Sequence, residues 1–309
     1  MRSLARRSGD VGLRSLESFL RGLEAMGEPF VPLDAAAMAK ITGSAYYRAG
    51  ARTPGTVTVQ PAALARGLAA SLPGNVELFE QSPVAAIGPG SPCALTVGEA
   101  TIVADRLILA ANGFTPALGF LRRQVFPLYT FASLTRALTG AEQAALGGET
   151  VWGLVPEERM GTTVRRTPDQ RILVRNTIRY QPSLRVGADD LGAVRLNHER
   201  AFRARFPMLP EVDLEYTWSG VMGITMNGAY SFGRLGTNLF AAAGCNGVGV
   251  ALGTAAGILL ADLAVGADSD LLSDMLTLPR PSWVPPEPLL GIGVRATLRR
   301  LQSRARGEL

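Results

Sequence analysis

One stretch limits the fold more than any other. From Leu239 to Ala261 the chain carries no charged residue. An apolar run, Leu239–Ala243, leads into Gly244, Gly247 and Gly249, and a helical pattern of small residues follows to position 264. A strand that turns through glycines into a helix brings bare backbone N–H groups toward an anionic or electron-rich ligand. Glycine is needed there where no Cβ fits beside the ligand, or where φ is positive. Ala251, Gly253, Ala255, Ala256 and Gly257 let the helix lie close against a sheet. A run of this length could span a bilayer. Its glycines and Asn246 interrupt it, however, and a membrane helix would be richer in Leu and Ile. No integral membrane span is therefore expected. Two readings stay open for the corner: it faces a ligand, or it is a buried strand–helix junction that faces nothing.

Composition removes several function classes. The chain has 309 residues, room for two domains or one large one, and 47% hydrophobic residues, enough for a sizeable core. Its net charge is +5, yet Lys40 is the sole lysine and the arginines are scattered, not gathered with interleaved aromatics. Nucleic acid is not an expected partner. Cys93 and Cys245 have no metal-ligand spacing and no disulfide framework. The single histidine, His198, falls in an Arg-rich helical stretch, 197–205, and is expected on its solvated face. No metal site is expected, and zinc or Ser-His-Asp chemistry is excluded on these counts. Residues 1–10 are basic without the apolar core of a signal peptide, so a cytoplasmic location is expected.

In chain order, apolar residues at Leu13, Leu16, Phe19, Leu20 and Leu23 predict a helix over 11–26. Asp34 caps a short helix over 35–41 that ends at Gly43. An irregular stretch starts at Tyr46 and Tyr47. Short strands are expected at 56–59 and 76–79, with a helix from Pro61 between them. Residues 83–87 are extended, a hairpin covers 94–103, and 107–111 reads as a buried parallel strand ending in the Asn112-Gly113 turn. Strands at 126–138, 151–155, 162–166, 171–177 and 214–224, with a helix at 189–206, make an antiparallel α+β insertion. The tail from 267 is proline-rich and then basic.

Five segments, taken together, look familiar. They are Thr53-Pro54-Gly55-Thr56-Val57 with Gln60-Pro61; Leu78-Phe79-Glu80 with Ser82-Pro83-Val84; Leu107-Ile108-Leu109-Ala110-Ala111-Asn112-Gly113 with Thr115-Pro116; Trp218-Ser219-Gly220-Val221-Met222-Gly223; and Gly244-Cys245-Asn246-Gly247-Val248-Gly249. In order and spacing, over residues 11–286, the chain resembles the FAD-dependent amine and amino-acid oxidases related to D-amino-acid oxidase and glycine oxidase, in particular the gamma-glutamylputrescine-oxidase-like branch. The resemblance implies α/β plus α+β architecture: an incomplete, Rossmann-like FAD-binding domain with an inserted antiparallel-sheet substrate domain. The implied division is a helical part of the substrate domain at 1–50, cofactor-binding parts at 51–122 and 214–266, the antiparallel insertion at 123–213, and the tail at 267–309. It also implies roles. Val84 lies in the strand that contacts the adenine, and Ala111, Asn112 and Gly113 form the turn over the adenosine and pyrophosphate. Gly244, Asn246, Gly247, Val248 and Gly249 form the corner that offers backbone N–H groups to the flavin N1–C2=O edge.

The sequence departs from that family in one place. The opening βαβ unit with Gly-x-Gly-x-x-Gly is missing. After Gly247 and Gly249 the next glycine, Gly253, comes one position late, and Gly291-Ile292-Gly293 follows prolines and no strand. The chain is expected to begin where the family's first third ends. The implied reaction is oxidation of the C–N bond of a small amine or amino acid by hydride transfer to flavin N5, the imine then hydrolysing, with oxygen or another electron acceptor reoxidising the flavin. Implied substrate-side residues are Tyr46, Tyr47, Arg175, Arg179, Tyr180 and Trp218, with Met222 beside Trp218. No catalytic base is singled out. Lys40 matches no family motif, which leaves a dehydrogenase open. The alternative is a non-catalytic flavoprotein-like remnant without bound FAD, in which the basic tail, Arg295, Arg299, Arg300, Arg304 and Arg306, meets an acidic partner or a membrane surface.

Overall fold

The computed structural model describes residues 2–5 and 9–305. The chain starts with strand β1 (Arg2–Ala5), helix α1 (Gly9–Ala25), β2 (Val31–Asp34), α2 (Ala35–Thr42), β3 (Tyr47–Arg52) and α3 (Pro61–Ala70). The Asp34 side chain accepts from the Ala37 N–H at 2.8 Å, and Gly43, at φ +72°, closes the other end of α2. Next come β4 (Val84–Gly88), β5 (Cys93–Val97), β6 (Ala100–Ala104) and β7 (Leu107–Leu109). A 3₁₀ helix (Asn112–Leu118) leads to β8 (Val125–Thr135), α4 (Gly140–Leu146), β9 (Trp152–Pro156), β10 (Thr163–Arg166) and β11 (Ile172–Tyr180). Helix α5 (Ala188–Arg205) precedes β12 (Leu214–Thr225), β13 (Ser231–Arg234) and β14 (Leu239–Ala243). Helices α6 (Gly249–Val265), α7 (Asp270–Thr277) and α8 (Leu289–Arg304) complete the described chain.

The strands form one large sheet and two small ones. The large sheet runs β12-β8-β11-β10-β9-β1-β3-β2; the small ones are β13-β14-β7 and β4-β5-β6. Alternation along β8 sends side chains to opposite faces. Tyr129 and Phe131 pack with Val194 of α5. Phe126 and Leu128 pack on the other face with Tyr180, Leu290 and Val294, so α8 covers that end of the sheet. A third cluster joins Met38, Tyr47, Trp152, Leu154, Val174, Phe202 and Phe206 between α2, the sheet and α5.

The antiparallel strands between 125 and 180, the 94–103 hairpin, strands β7 and β14 and the helix of the charge-free stretch appear as expected from the sequence. Residues 47–52, expected to be irregular, form β3, which pairs with β1 on one side and β2 on the other. Residues 56–59 and 76–79 form no strand. They have no neighbour to complete a ladder, and Phe79 stands 68% exposed. β12, expected to open the last cofactor-side segment, is hydrogen-bonded to β8 along its length in the large sheet. The tail buries Leu290 and Val294 and lays the Arg295 guanidinium 5.5 Å from the Tyr180 ring. Arg306 lies outside the described residues.

His198 needs a correction. It is 0% exposed, not solvated. Val194, His198, Ala201, Phe202 and Arg205 make one buried stripe on α5, spaced for a helix face. His198 and Arg205 interrupt its apolar members, Val194, Ala201 and Phe202, so hydrophobic pattern alone does not mark the stripe. His198 Nδ1 lies 2.7 Å from Ser133 Oγ, which lies 2.8 Å from Thr217 Oγ1. Burial, and then the nearby Arg175 charge, push the imidazole down to about 4 from 6.5.

Folding therefore favours neutral His198. Stability from this group is complete above pH 6.5, falls as the unfolded chain protonates first, and levels off below about 4. The total loss across that window is about 3 kcal/mol. Denaturant titrations at a series of pH values should show this extra acid sensitivity in the natural chain and not in H198Q. Parallel pH profiles for the two would remove the assignment.

Candidate functional site

The site is built where two parallel strands end together. Leu239, Phe240 and Ala241 of β14 pair in parallel with Leu107, Ile108 and Leu109 of β7. Both chains leave at the same edge, as strands do where α/β folds place ligands. After β7 comes Ala111 and then Asn112, at φ +43°. After β14 come Gly244 at φ +79°, Asn246 at +50° and Gly247 at +86°, and α6 begins at Gly249.

Two asparagine side chains tie this corner together. Asn112 Oδ1 accepts from the Gly244 N–H at 3.0 Å and the Cys245 N–H at 3.2 Å, and its Nδ2 donates to Cys245 Sγ at 3.2 Å. The Asn246 N–H donates to Gly223 O at 3.1 Å. Asn246 Oδ1 accepts from the Thr225 N–H at 3.0 Å, and its Nδ2 donates to Gly244 O at 2.7 Å and Gly228 O at 3.0 Å. Both side chains are therefore occupied with protein partners. Glycine is required here by the chain itself. A Cβ on Gly113 would stand 3.0 Å from Val221 Cγ2, one on Gly223 would stand 2.5 Å from Asn112 Oδ1, and one on Gly244 2.7 Å from Thr225 Cγ2.

Gly247 and Gly249 differ from these. A Cβ on Gly247 would meet only Met222 Sδ, at 3.9 Å, and both glycines are exposed. The N–H groups that open α6 have no acceptor within the helix, and no side chain caps them. The donors of Gly247, Gly249 and Val250 thus point outward at a helix N-terminus, where the peptide dipoles favour negative charge. Val248 is solvent-facing, and its own N–H is used, donating to Cys245 O at 2.9 Å. Val84 opens β4, opposite Val97. Ile87 of the same strand packs with Leu109 and Ala111, which brings the β4 sheet to the β7 side of the corner.

Met222 links the corner to the large sheet. Along β12 and β8 the register pairs Met222 with Leu128, Gly220 with Thr130 and Trp218 with Ala132. β11 sets Arg175 opposite the same Ala132. Arg175, Thr130, Gly220 and Trp218 therefore share one face, leading away from Gly247. Nothing lies within 4 Å of a Cβ on Gly220, so the face is bare between Met222 and Trp218. Arg175 donates to Thr163 Oγ1 at 2.9 Å and Thr130 Oγ1 at 3.3 Å, and has no carboxylate partner among the described residues. Burial, and then Arg165, lower its pKa, the signature of a cation held out of water without a counter-ion. Gly220, Thr130 and Thr163 were missed in the sequence, because cross-strand neighbours cannot be read before the register is known.

Of the other four proposed substrate residues three lie elsewhere, and Tyr180 is taken up by packing. Arg179 pairs with Asp190 at 2.6 Å and lies over Phe131, on the α5 face. The Tyr180 hydroxyl donates to Glu287, and burial is the first cause of its raised pKa. Tyr47 is 2% exposed in the core, and Tyr46 lies beneath Arg205, 4.4 Å from its guanidinium. The structure brings Arg175 and Trp218 together and leaves Tyr46, Tyr47 and Arg179 apart; Tyr180, opposite Leu128, shares the face of Met222 but is packed there beneath α8. Among the described residues no group of His, Cys, Asp and Glu could hold a metal ion. No single helix there is long and apolar enough to cross a membrane; α6 and α7 pass only as a pair, bent by 103°.

Residues 3–263 match the family described as FAD dependent oxidoreductase, DAO. The chain belongs to that family. It is 29% identical over 234 residues to the probable oxidoreductase OrdL of Rhizobium meliloti, 74% of this chain and 52% of that protein. It is 25% identical over 203 residues to gamma-glutamylputrescine oxidoreductase of Escherichia coli, covering 65% and 46%. Glycine oxidase from Geobacillus kaustophilus superposes with a TM-score of 0.73 at 21% identity, covering 87% of this chain and 71% of that one. The fold is thus that of the DAO flavoenzymes, and the chain spans about half the length of the curated relatives it matches.

The corner fits one end of the family's cofactor. Its outward donors suit the electron-rich edge of a flavin. The pyrophosphate has no comparable seat: no Gly-x-Gly-x-x-Gly turn follows a strand among the described residues, and Gly291 and Gly293 lie inside α8.

Removing the Asn112 amide should loosen the corner. N112A leaves two backbone donors without an acceptor and should cost about 2 to 3 kcal/mol in denaturant unfolding. N112D keeps the acceptor oxygen and should lose about half as much or less. Equal losses in both would remove the acceptor role.

Proposed function

We propose that this chain supplies the flavin-edge and substrate-side parts of an FAD-dependent oxidoreductase acting on the C–N bond of a small amine or amino acid. The observation that carries this reading is Arg175. It is a desolvated guanidinium without a counter-ion, on the same sheet face as Met222, which borders the donor corner. Bound at the corner, the flavin would supply a hydride acceptor, and the resulting imine would hydrolyse in water. The chain's own part is binding and electrostatics. Gly247, Gly249 and Val250 donate to the ring edge, and the start of α6 favours the negative charge of reduction. Trp218 and Met222 wall the bare strip at Gly220 and exclude water. Arg175 holds a substrate carboxylate as a fork and so positions the neighbouring carbon. None of these residues is a base, so the amine arrives neutral. On this reading residues 51–122 and the segment from β13 through α6 form the cofactor side, and residues 123–213 together with β12 the substrate side.

The electron acceptor is oxygen or another molecule. The sole lysine, Lys40, sits in the last turn of α2, exposed, in a part of the chain that contributes nothing to the strip.

A second reading, a flavoprotein-like remnant that binds no FAD, is favoured by the lack of a pyrophosphate seat in the described residues. The two separate by colour. Purified with FAD added and then desalted, the chain should retain the visible flavin bands; a colourless product favours the remnant. In a flavin-loaded preparation, R175Q should raise KM for an amino-acid substrate about tenfold or more, with a smaller change in kcat. An unchanged KM would remove Arg175 from the substrate side.

A further inference from the structure

A second recess lies away from the corner and the strip. It is a cleft of 850 Å³ between α5, α8 and the middle of β11. Its floor is set by an irregularity in β11. The ladder with β8 shifts register between Arg175 and Thr177, and such a bulge re-aims the side chains at the break. Asn176 and Thr177 sit there and hydrogen-bond to each other at 3.0 Å. One wall is a stripe of α5, in which Arg200, Ala201 and Ala204 succeed one another at helical spacing. The facing wall is a stripe of α8 carrying Arg299, Gln302 and Ser303.

The charges in this cleft do not cancel. No carboxylate of the described residues lines it. Arg179, at its edge, is neutralised by Asp190. Arg200 donates only to neutral acceptors, the Leu196 carbonyl at 3.3 Å and the Asn197 side chain. Arg299 has no ion-pair or hydrogen-bond partner among the described residues. Glu199, one residue before Arg200, is paired with Arg195 at 2.9 Å. Two guanidiniums from two different helices therefore face one space with no counter-charge among the described residues. The volume is that of a metabolite site and larger than a lone ion needs. Ala204 gives the wall a small apolar surface beside the arginines.

We propose that this cleft binds a small phosphate-bearing molecule, its phosphate held between Arg200 and Arg299 and its remainder against Ala204. Arginine suits the role because its planar fork matches phosphate oxygens two at a time. The proposal stands apart from the flavin reading and needs no cofactor.

The test is calorimetric titration of the full chain with pyrophosphate at low salt, read alongside thermal unfolding of each variant. One saturable site is expected. R200Q and R299Q should each weaken it by about tenfold or more while unfolding as the natural chain does. R66Q, on the exposed helix α3, should leave it unchanged. Binding that survives both R200Q and R299Q belongs to another place, such as the corner at α6, and overturns the proposal. So does binding lost equally in R66Q, which is charge attraction without a site, and so does the absence of saturable binding. Citrate competing as well as pyrophosphate would overturn the choice of phosphate.

Discussion

Everything at the candidate site depends on two amide side chains that do the work of missing backbone partners. β7 and β14 stop at the same level, and beyond them the chain turns too sharply for a ladder to continue. Asn112 takes the Gly244 and Cys245 donors, while Asn246 takes the Thr225 donor and returns bonds to the Gly244 and Gly228 carbonyls. Without these, buried polar groups of three separate segments would stay unpaired at a cost of a few kcal/mol. With them, the small parallel sheet is locked to the end of β12, and so to the large antiparallel sheet. The two halves of the fold meet at this joint.

That joint explains why the donor corner and Arg175 can cooperate across a distance. β12 leaves the corner at Gly223 and carries Met222, Gly220 and Trp218 outward on one face. A strand rises about 3.3 Å per residue, so Met222 and Trp218 stand about 13 Å apart. The flat strip between them is open because Gly220 has no side chain. Holding Arg175 at its far end by Thr163 and Thr130, and not by a carboxylate, keeps the guanidinium's charge available.

The sequence made the parts of this site legible unevenly, and for physical reasons. The charge-free run, the glycine corner and the antiparallel insertion carry strong local signals of period and turn chemistry, and they fold as those signals say. The role of glycine was only half readable. Gly113 and Gly244 are glycine because β12 crowds them, a contact between residues over a hundred positions apart for Gly113, while Gly247 remains open. Tyr46, Tyr47, Arg179 and Tyr180 have the chemistry of substrate contacts, but which face of a strand they occupy is decided by register. β11 contains a bulge that no pattern in its sequence announces. His198 shows the converse: a polar residue in a polar helix can still lie on the inward stripe when Ser133 waits there to bond it.

The outer edge of β7 has a consequence of its own. β7 is the last strand of its sheet, it runs parallel to β14, and Ile108 on it is 42% exposed. Nearby, α6 turns Val248 and Ile258 to solvent, and α3 buries no residue at all. Parallel sheets are normally covered on both sides. An edge of this kind has polarity. Any strand added in the same sense would finish level with Asn112 and Gly244, and the turn after it would open beside the Gly247 amides. One added in the opposite sense would send that turn to the far edge, away from the Gly247 amides.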